Sequence, residues 1–416
     1  MARVLMLTLI FSPDGVSTAQ IMTELALGLR DCGHDVTVIT ATPHYNMDAE
    51  MLSKQPLRKY YGGLLYRSEI EGLEVLHVPV RKKGSRILSR ILDHLSFHTL
   101  STVIGLLLAG KQDLIFAPTP PLTIGLNAWL LSLMKRAPFV YNVQEIFPEV
   151  AKDLNLLKNK RLYHFLEGVE RFTYNRAVMT VVISEWFRRN LLEKGVEPEK
   201  VQVIPNFVDT DFIMPYERDN NFSRLHSLDG KFVVLFAGNI GLSQGFETII
   251  AAAEQLAHIE DIQFLIVGDG ARRTWLQEEL SKRRTKNITL LPYQPRSLVP
   301  LIYATSDLCL VPLRKGIAGT TFPSKIYTIM AAGRPALASA DKDSELAWLV
   351  ENAGCGFLVR PENSEEMVEA ILEAFRDREH LRTMGANGRD YVEKNYSINA
   401  VVSKYDELIR SILNGS

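Results

Sequence analysis

Short apolar, β-branched runs alternate with helix-length amphipathic segments along almost the whole chain, and the alternation runs through twice. In the first half, strands are predicted at residues 3–11, 36–40, 73–79, 113–117, 139–143, 179–183 and 201–204. Helices fall between them at 20–32, 90–109, 122–135, 159–175 and 185–193. After a stretch rich in turn formers, 204–230, the rhythm restarts with strands at 232–237, 263–267, 288–290, 308–311, 335–338 and 356–359. Helices are predicted there at 245–256, 271–282, 297–304, 324–332, 345–352 and 364–377, and a last amphipathic helix fills 398–413. Apolar strands separated by helices belong in a parallel sheet covered on both faces. Two such series predict an α/β chain of two Rossmann-like, doubly wound domains facing a cleft, because open sheets of this kind bind ligands beyond the carboxyl ends of their strands.

At 416 residues the chain is too long for one hydrophobic core and suits two domains of roughly 200 each. A net charge of -1 gives no electrostatic case for a nucleic-acid partner. Cys32, Cys309 and Cys355 are far apart and form no CxxC pair, which argues against a disulfide framework or a zinc site and suits a reducing compartment. The first residues, MARVLMLTLIF, lack the long apolar region and small-residue cleavage site of a signal peptide and read as a buried strand. No window reaches the length of a spanning helix, so a cytoplasmic protein is expected.

Three segments of the second half carry chemistry. Residues 236–249, FAGNIGLSQGFETI, run from a strand through a glycine-rich loop into a helix. Gly238 and Gly241 allow close backbone approach, and the helix start offers N–H groups to an anion, although such turns also serve purely structural ends. Residues 266–270, IVGDG, end a strand in a tight turn, where Asp269 reads first as a cap. Residues 315–339, KGIAGTTFPSKIYTIMAAGRPALAS, enter a helix through Pro323 and Ser324, with Lys325 in its first turn. A cation there opposes the helix dipole unless an anion shares the site. Lys325 is therefore either a solvated surface lysine or a diphosphate ligand.

Together, in this order and spacing, the pieces resemble the family-4 retaining glycosyltransferases. The likeness is carried by GHDVTVIT (33–40), VISEWFRRNLLEKGV (182–196), VQVIPNFVDTDFI (201–213) and the glycine-rich loop. FLIVGDG (264–270), LIYATSDLCLVPL (301–313) and PSKIYTIMAAGRP (323–335) complete it. The resemblance implies the GT-B fold, no cofactor, no obligatory metal, and a nucleotide sugar held mainly by the C-terminal domain. It divides the chain into an acceptor domain, 1–210, a donor domain, 211–390, and a final segment, 391–416, that crosses back to the first domain.

The family's Gly-Arg…Lys-Gly phosphate loop falls on Gly238, Asn239, Gln244 and Gly245, so both cationic positions are neutral here. Its paired glutamates fall on Thr320 and Thr328. A similar GNxGxxQG loop and PSK segment mark one branch, the fucosamine transferases of O-antigen synthesis and related capsule and exopolysaccharide enzymes. By that likeness Ser324 and Lys325 take the diphosphate in place of the loop cations, and Asn239 and Gln244 act as neutral hydrogen-bonding groups. Thr328 lies by the ribose, Tyr293 and Gln294 flank the nucleobase, and Asp269 and Thr320 complete the donor set.

The same resemblance sets the loop SPDGVSTAQ (12–20), with Gly15, near the donor phosphates and the acceptor. Glu145, in YNVQEIFPE (141–149), is the candidate to orient or deprotonate the acceptor hydroxyl, and a capping or domain-pairing carboxylate is the other reading. His44, in ATPHYN, is a further cleft candidate. Retention in such enzymes implies front-face attack or a short-lived ion pair, with catalysis coming from positioning and from stabilising the departing diphosphate through Lys325. In the segment 81–110, Arg81, Lys82, Lys83, Arg86 and Arg90 precede a helix that is apolar on most of its circumference. That segment reads either as a dock on the anionic inner membrane surface or as a buried helix with a solvated basic loop.

The expected activity is transfer of a deoxy- or N-acetylamino sugar from a UDP-sugar to a polyprenyl-diphosphate-linked saccharide, by a peripheral enzyme on the cytoplasmic face of the membrane. The alternatives are a transferase with a soluble acceptor, a UDP-sugar epimerase and a non-catalytic nucleotide-sugar-binding protein.

Overall fold

The computed structural model describes residues 1–44, 49–80, 87–283 and 285–415, without the side chains of 49, 50 and 87–94. Arg81, Lys82, Lys83, Arg86 and the side chain of Arg90, the basic flank expected to meet a membrane, lie outside the described residues. The chain forms two compact units. Met1–Lys152, Leu157–Asn206 and Ile398–Ser416 make the first, and Asp153–Leu156 with Phe207–Ser397 make the second. The switches therefore fall after Asn206 and after Ser397, where the sequence reading draws them at 210 and 390.

The first unit holds strands β1 (Arg3–Leu7), β2 (Asp35–Ala41), β3 (Arg58–Tyr60), β4 (Leu65–Ile70), β5 (Leu73–Val78), β6 (Leu114–Pro118), β7 (Phe139–Val143), β8 (Met179–Val182) and β9 (Val201–Val203). They join in the order β3-β4-β5-β2-β1-β6-β7-β8-β9. From β5 to β9 every pairing is parallel, and every residue of β6 and β7 is buried, as a sheet covered on both faces requires. The expectation of a wholly parallel sheet fails at one edge, where β3, β4 and β5 pair antiparallel. β3 is Arg-Lys-Tyr and wholly exposed, so it offers no apolar run to read, and a short charged strand is a common way to close a sheet edge.

The helices of this unit are α1 (Ser17–Asp31), α2 (Ala49–Lys54), α3 (Ile87–Leu107), α4 (Ile124–Lys135), α5 (Glu149–Asp153, whose last residue belongs to the second unit), α6 (Lys160–Arg176) and α7 (Glu185–Glu193). α6 and α7 start where the sequence supplies a cap. Asn159 accepts from the N–H groups of Arg161 and Leu162, and Ser184 accepts from that of Phe187.

The second unit carries β10 (Phe232–Ala237), β11 (Ile262–Val267), β12 (Ile288–Leu291), β13 (Leu308–Pro312), β14 (Ala336–Ser339) and β15 (Gly356–Val359), in the all-parallel order β12-β11-β10-β13-β14-β15. Side chains alternate across β10. Val233 and Leu235 pack into one core with Ile326 and Ile329, and Phe232, Val234 and Phe236 pack into the other with Ile249 and Ile371. Its helices are α8 (Asn221–Leu225), α9 (Phe246–Gln255), α10 (Arg273–Arg283), α11 (Val299–Thr305), α12 (Lys325–Ala331), α13 (Glu345–Ala353), α14 (Ser364–Arg376) and α15 (Arg378–Asn395).

The sequence reading contains neither α8 nor α15. α15 buries Gly385 and Gly388 where an apolar stripe is expected, and a Cβ on Gly385 would strike the carbonyl of Gly333. Close backbone packing replaces the hydrophobic signal.

α16 (Ile398–Asn414) returns to the first unit. Val402 packs onto Gly28 of α1, His34 Nε2 and Asp406 Oδ1 lie 2.7 Å apart, and the Asn142 amide donates to the Tyr405 hydroxyl at 3.0 Å.

Candidate functional site

In the second unit the loops after β10 and β11 are pressed together, backbone on backbone. Gly238 N–H donates to the Val267 carbonyl at 2.9 Å, Ile240 N–H to that of Asp269 at 2.8 Å, and Arg272 N–H to that of Ile240 at 3.0 Å. Two glycines make this possible. A Cβ on Gly268 would collide with the Gly238 carbonyl, and one on Gly270 would collide with the Asn239 side chain and the Ile240 carbonyl. Asn239 lies across this junction, against Gly241 as well. Asp269 Oδ1 accepts from the adjacent Gly270 N–H at 2.7 Å.

Lys325 enters the same place from the start of α12. Its Nζ sits 3.6 Å from the centroid of the Phe236 ring, and a Cβ placed on Gly238 would lie 3.2 Å from that nitrogen. The Nζ atom is shut off from solvent and has no hydrogen-bond partner among the described residues. Burial pushes its pKa down to about 7. A buried ammonium is costly unless an anion answers it, and the ring face returns only part of that cost. The cation in a first turn that the sequence presents as a conflict is, in three dimensions, a cation with no anion against it among the described residues. α12 itself is fixed by Tyr327, whose ring stacks on Tyr396 at 4.5 Å and packs against Phe322 at 5.5 Å.

Gln244, further along the same loop, is also buried. Its Nε2 donates to Ser243 Oγ at 3.2 Å, while its Oε1 finds no donor among the described residues. Around the glycine-rich loop, the Lys325 ammonium and the Gln244 carbonyl oxygen are thus buried polar atoms without a hydrogen-bond partner among the described residues.

Thr320 is buried, with its hydroxyl shared between Asp153 Oδ2 at 3.0 Å and the Ile317 carbonyl at 3.3 Å. Thr328 lies one turn beyond Ser324 on α12. Tyr293 and Gln294 follow β12, and the Gln294 amide donates to the Pro292 carbonyl at 3.0 Å. Arg273, absent from the sequence reading, ties the ends of β11 and β12 together by donating to the carbonyls of Gly268 and Leu291. Phe236 is a second omission, since nothing in the sequence says that its ring will lie beneath a lysine.

In the first unit, Gly15 follows a loop anchored from below. Ser12 Oγ donates to Gln55 Oε1 at 2.7 Å, Gln55 Nε2 donates to Ser68 Oγ at 2.9 Å, and Ser68 Oγ meets His77 Nε2 at 2.7 Å. The other ring nitrogen of His77 lies 3.2 Å from the Ala41 carbonyl. Because only an N–H can pair with that carbonyl, Nδ1 carries the proton and every donor in the chain points one way. Burial holds the His77 pKa down at about 4, so the ring stays neutral. Asp14 connects Gly15 to His44, accepting from His44 N–H at 2.8 Å, and His44 Nδ1 lies 2.9 Å from the Thr42 carbonyl. Glu145 stands just beyond β7 and opens to solvent on one side, while burial by the protein around it holds its carboxyl above the usual carboxylate range. The structure therefore gathers Gly238, Asn239, Gly241, Asp269 and Lys325 in the second unit, and Gly15 with His44 in the first. No group of three or more His, Cys, Asp or Glu side chains that could hold a metal occurs among the described residues.

Two doubly wound units, one with glycine loops at its strand ends beside a lysine that has no hydrogen-bond partner among the described residues, belong to the α/β class whose ligands bind beyond the strand ends. The model for glycosyl transferases group 1 matches residues 217–391, and that for the glycosyl transferase 4-like domain matches residues 18–206. The chain belongs to the family-4 glycosyltransferases of the GT-B type, and it is a glycosyltransferase. It is 27% identical over 418 residues to WcaI of Escherichia coli K12, a protein named for glycosyl transfer in colanic acid biosynthesis, covering 98% of this chain and 100% of that one. It is 28% identical over 338 residues to the glycosyltransferase WbjE of Pseudomonas aeruginosa, covering 81% and 84%. Among solved structures, sucrose-phosphate synthase from Thermosynechococcus elongatus shares its fold with a TM-score of 0.74 at 17% identity over 100% of both chains. HepE from Anabaena, solved with UDP and glucose, does so with a TM-score of 0.74 at 18% identity over 99% and 100%.

Proposed function

We propose that this enzyme transfers a sugar, with retention at the anomeric carbon, from a UDP-sugar to a saccharide carried on a polyprenyl diphosphate. The sugar is a deoxy- or N-acetylamino hexose, and the product is an intermediate of exopolysaccharide, capsule or O-antigen synthesis at the cytoplasmic face of the membrane. The observation that carries the reading is the Nζ of Lys325, solvent-shielded against Gly238 and without a hydrogen-bond partner among the described residues. The name of WcaI, which places that relative in colanic acid biosynthesis, supports a place in polysaccharide synthesis, and UDP is chosen from the branch that the sequence resembles.

In this reading the bond between the anomeric carbon and the diphosphate oxygen breaks, and its electron pair stays on the diphosphate. Lys325 meets that charge in a site already shut off from water, where a fixed cation is worth most. The acceptor hydroxyl attacks on the face the diphosphate leaves, and its proton passes to Glu145, whose raised pKa suits a base. Nothing beyond the nucleotide sugar is needed as a cofactor.

The test is thermal-shift binding of UDP, GDP, ADP and dTDP to the wild type and to Lys325→Met. Stabilisation by UDP alone, lost in the variant, supports the donor site. A larger response to GDP or dTDP, or normal UDP binding by the variant, removes it. Turnover is then compared on lipid-linked and soluble saccharides, and a preference for the soluble acceptor refutes the acceptor assignment.

A further inference from the structure

The exposed large apolar side chains of the first unit are concentrated on three neighbouring helices. On α3, Leu95, Val103 and Leu107 are 60%, 45% and 75% exposed. On α4, Leu130, Leu133 and Met134 follow the i, i+3, i+4 spacing of a single helix face, and all three are exposed. On α6, Leu162 and Phe165 open to solvent one turn apart, Phe165 at 66%.

These faces adjoin. α3 and α4 lie close enough that a Cβ on Gly105 would stand 3.0 Å from Leu131, and Thr102 hydrogen-bonds to Asn127. α4 meets α6 through Trp129 and Phe172, with ring centroids 4.9 Å apart. A soluble protein rarely exposes so many large apolar side chains on adjoining helices unless something covers them.

The charge around this face says what covers it. α4 contains no acidic residue, and it ends in Lys135 and the exposed Arg136. α6 opens with exposed Lys160 and Arg161 and carries exposed Arg171 further along. Its one acid outside the buried Glu170 is Glu167, which pairs with His164 at 2.8 Å. An apolar face rimmed by cations complements an anionic bilayer, because the side chains enter the acyl boundary while the cations meet the headgroups.

We infer that the α3–α4–α6 face of the first unit is the surface on which this enzyme sits on anionic lipid, with α4 and α6 as well as α3 in contact. The inference deepens the proposed function and rests on its lipid-borne acceptor. It moves the contact beyond the 81–110 segment, to residues that the sequence reading leaves out.

The full chain is floated with vesicles of phosphatidylcholine alone and of phosphatidylcholine with phosphatidylglycerol. The wild type is expected to float with the anionic vesicles and to be released by salt. Leu133→Glu and Phe165→Glu each lower partitioning at least about ten-fold, since each replaces an exposed apolar side chain that would enter the acyl boundary by a charged one. Arg161→Glu lowers it about five-fold or more.

Circular dichroism and UDP thermal shift, unchanged in all three variants, show that fold and donor site are intact. Three results overturn the inference: a wild type that stays unbound, variants that float like the wild type, or a dimer in sedimentation that Leu133→Glu and Phe165→Glu dissociate. A protein that floats as expected but answers no nucleotide keeps the docking surface and loses the proposed donor.

Discussion

Replacing Lys325 by methionine should make the ligand-free protein more stable while it removes nucleotide binding. Lowering a lysine from its ordinary 10.5 to about 7 corresponds to a preference for the neutral form of about 5 kcal/mol. Contact with the Phe236 face returns about 1–2 kcal/mol of that. Methionine keeps most of the length and packing and carries no charge. Below pH 7 the lysine is protonated in both the folded and the unfolded chain, so the folded state bears the whole cost. Between about 7 and 10.5 the folded state gives up its proton first, and wild-type stability rises with pH; above that window both forms are neutral and the advantage of the variant disappears.

At about pH 6 the expected gain of Lys325→Met is about 3 kcal/mol, or about 6–12 °C in the melting of a unit of this size. Saturating UDP at about a hundred times its dissociation constant adds about 2.7 kcal/mol to the wild type and little to the variant, which nearly closes the gap. The assay is thermal unfolding followed by circular dichroism across pH, with and without UDP. A variant less stable than the wild type at low pH without ligand refutes the reasoning, because it means that the ammonium is already answered within the protein.

Three further outcomes follow from the geometry. UDP binding near pH 8 should take up close to one proton as the anion recharges Lys325, and calorimetry in buffers of different ionisation enthalpy reads this; binding with no proton uptake contradicts it. Gly268→Ala should cost at least about 2 kcal/mol of stability and weaken UDP binding, because the new Cβ meets the Gly238 carbonyl and separates the two loops. Asp113, held at about 2 by hydrogen bonds from the Arg3 side chain, stabilises the fold above its ordinary 3.8 and loses that contribution as pH falls through 2. Asp113→Asn should accordingly lower the melting temperature at neutral pH, and the difference should fade below about pH 4.

The parallel strands were legible because burial on both faces writes an unbroken apolar run. β7, β10 and β15 stand at the residues the pattern predicts. The edge hairpin and α15 were not, since β3 is charged and exposed and α15 packs through glycines. Lys325 was legible as a local conflict between charge and helix dipole. Its lowered pKa was not, since that needs Phe236 and the Gly238 loop brought to it by the fold. Gln55, Ser68 and His77, which brace the loop before Gly15, come from separate segments of the chain, and only the folded sheet shows that they form one chain of hydrogen bonds.

The return of α16 bears on how the protein is made. Val402, Tyr405 and Asp406 supply contacts to α1, β7 and His34, so the first unit to emerge from the ribosome lacks part of its own core until α16 is synthesised. The second unit, complete at Ser397, has all its residues earlier. Synthesis order and completion order are reversed, and the nascent first unit must wait with α1 uncovered while the second is still being translated.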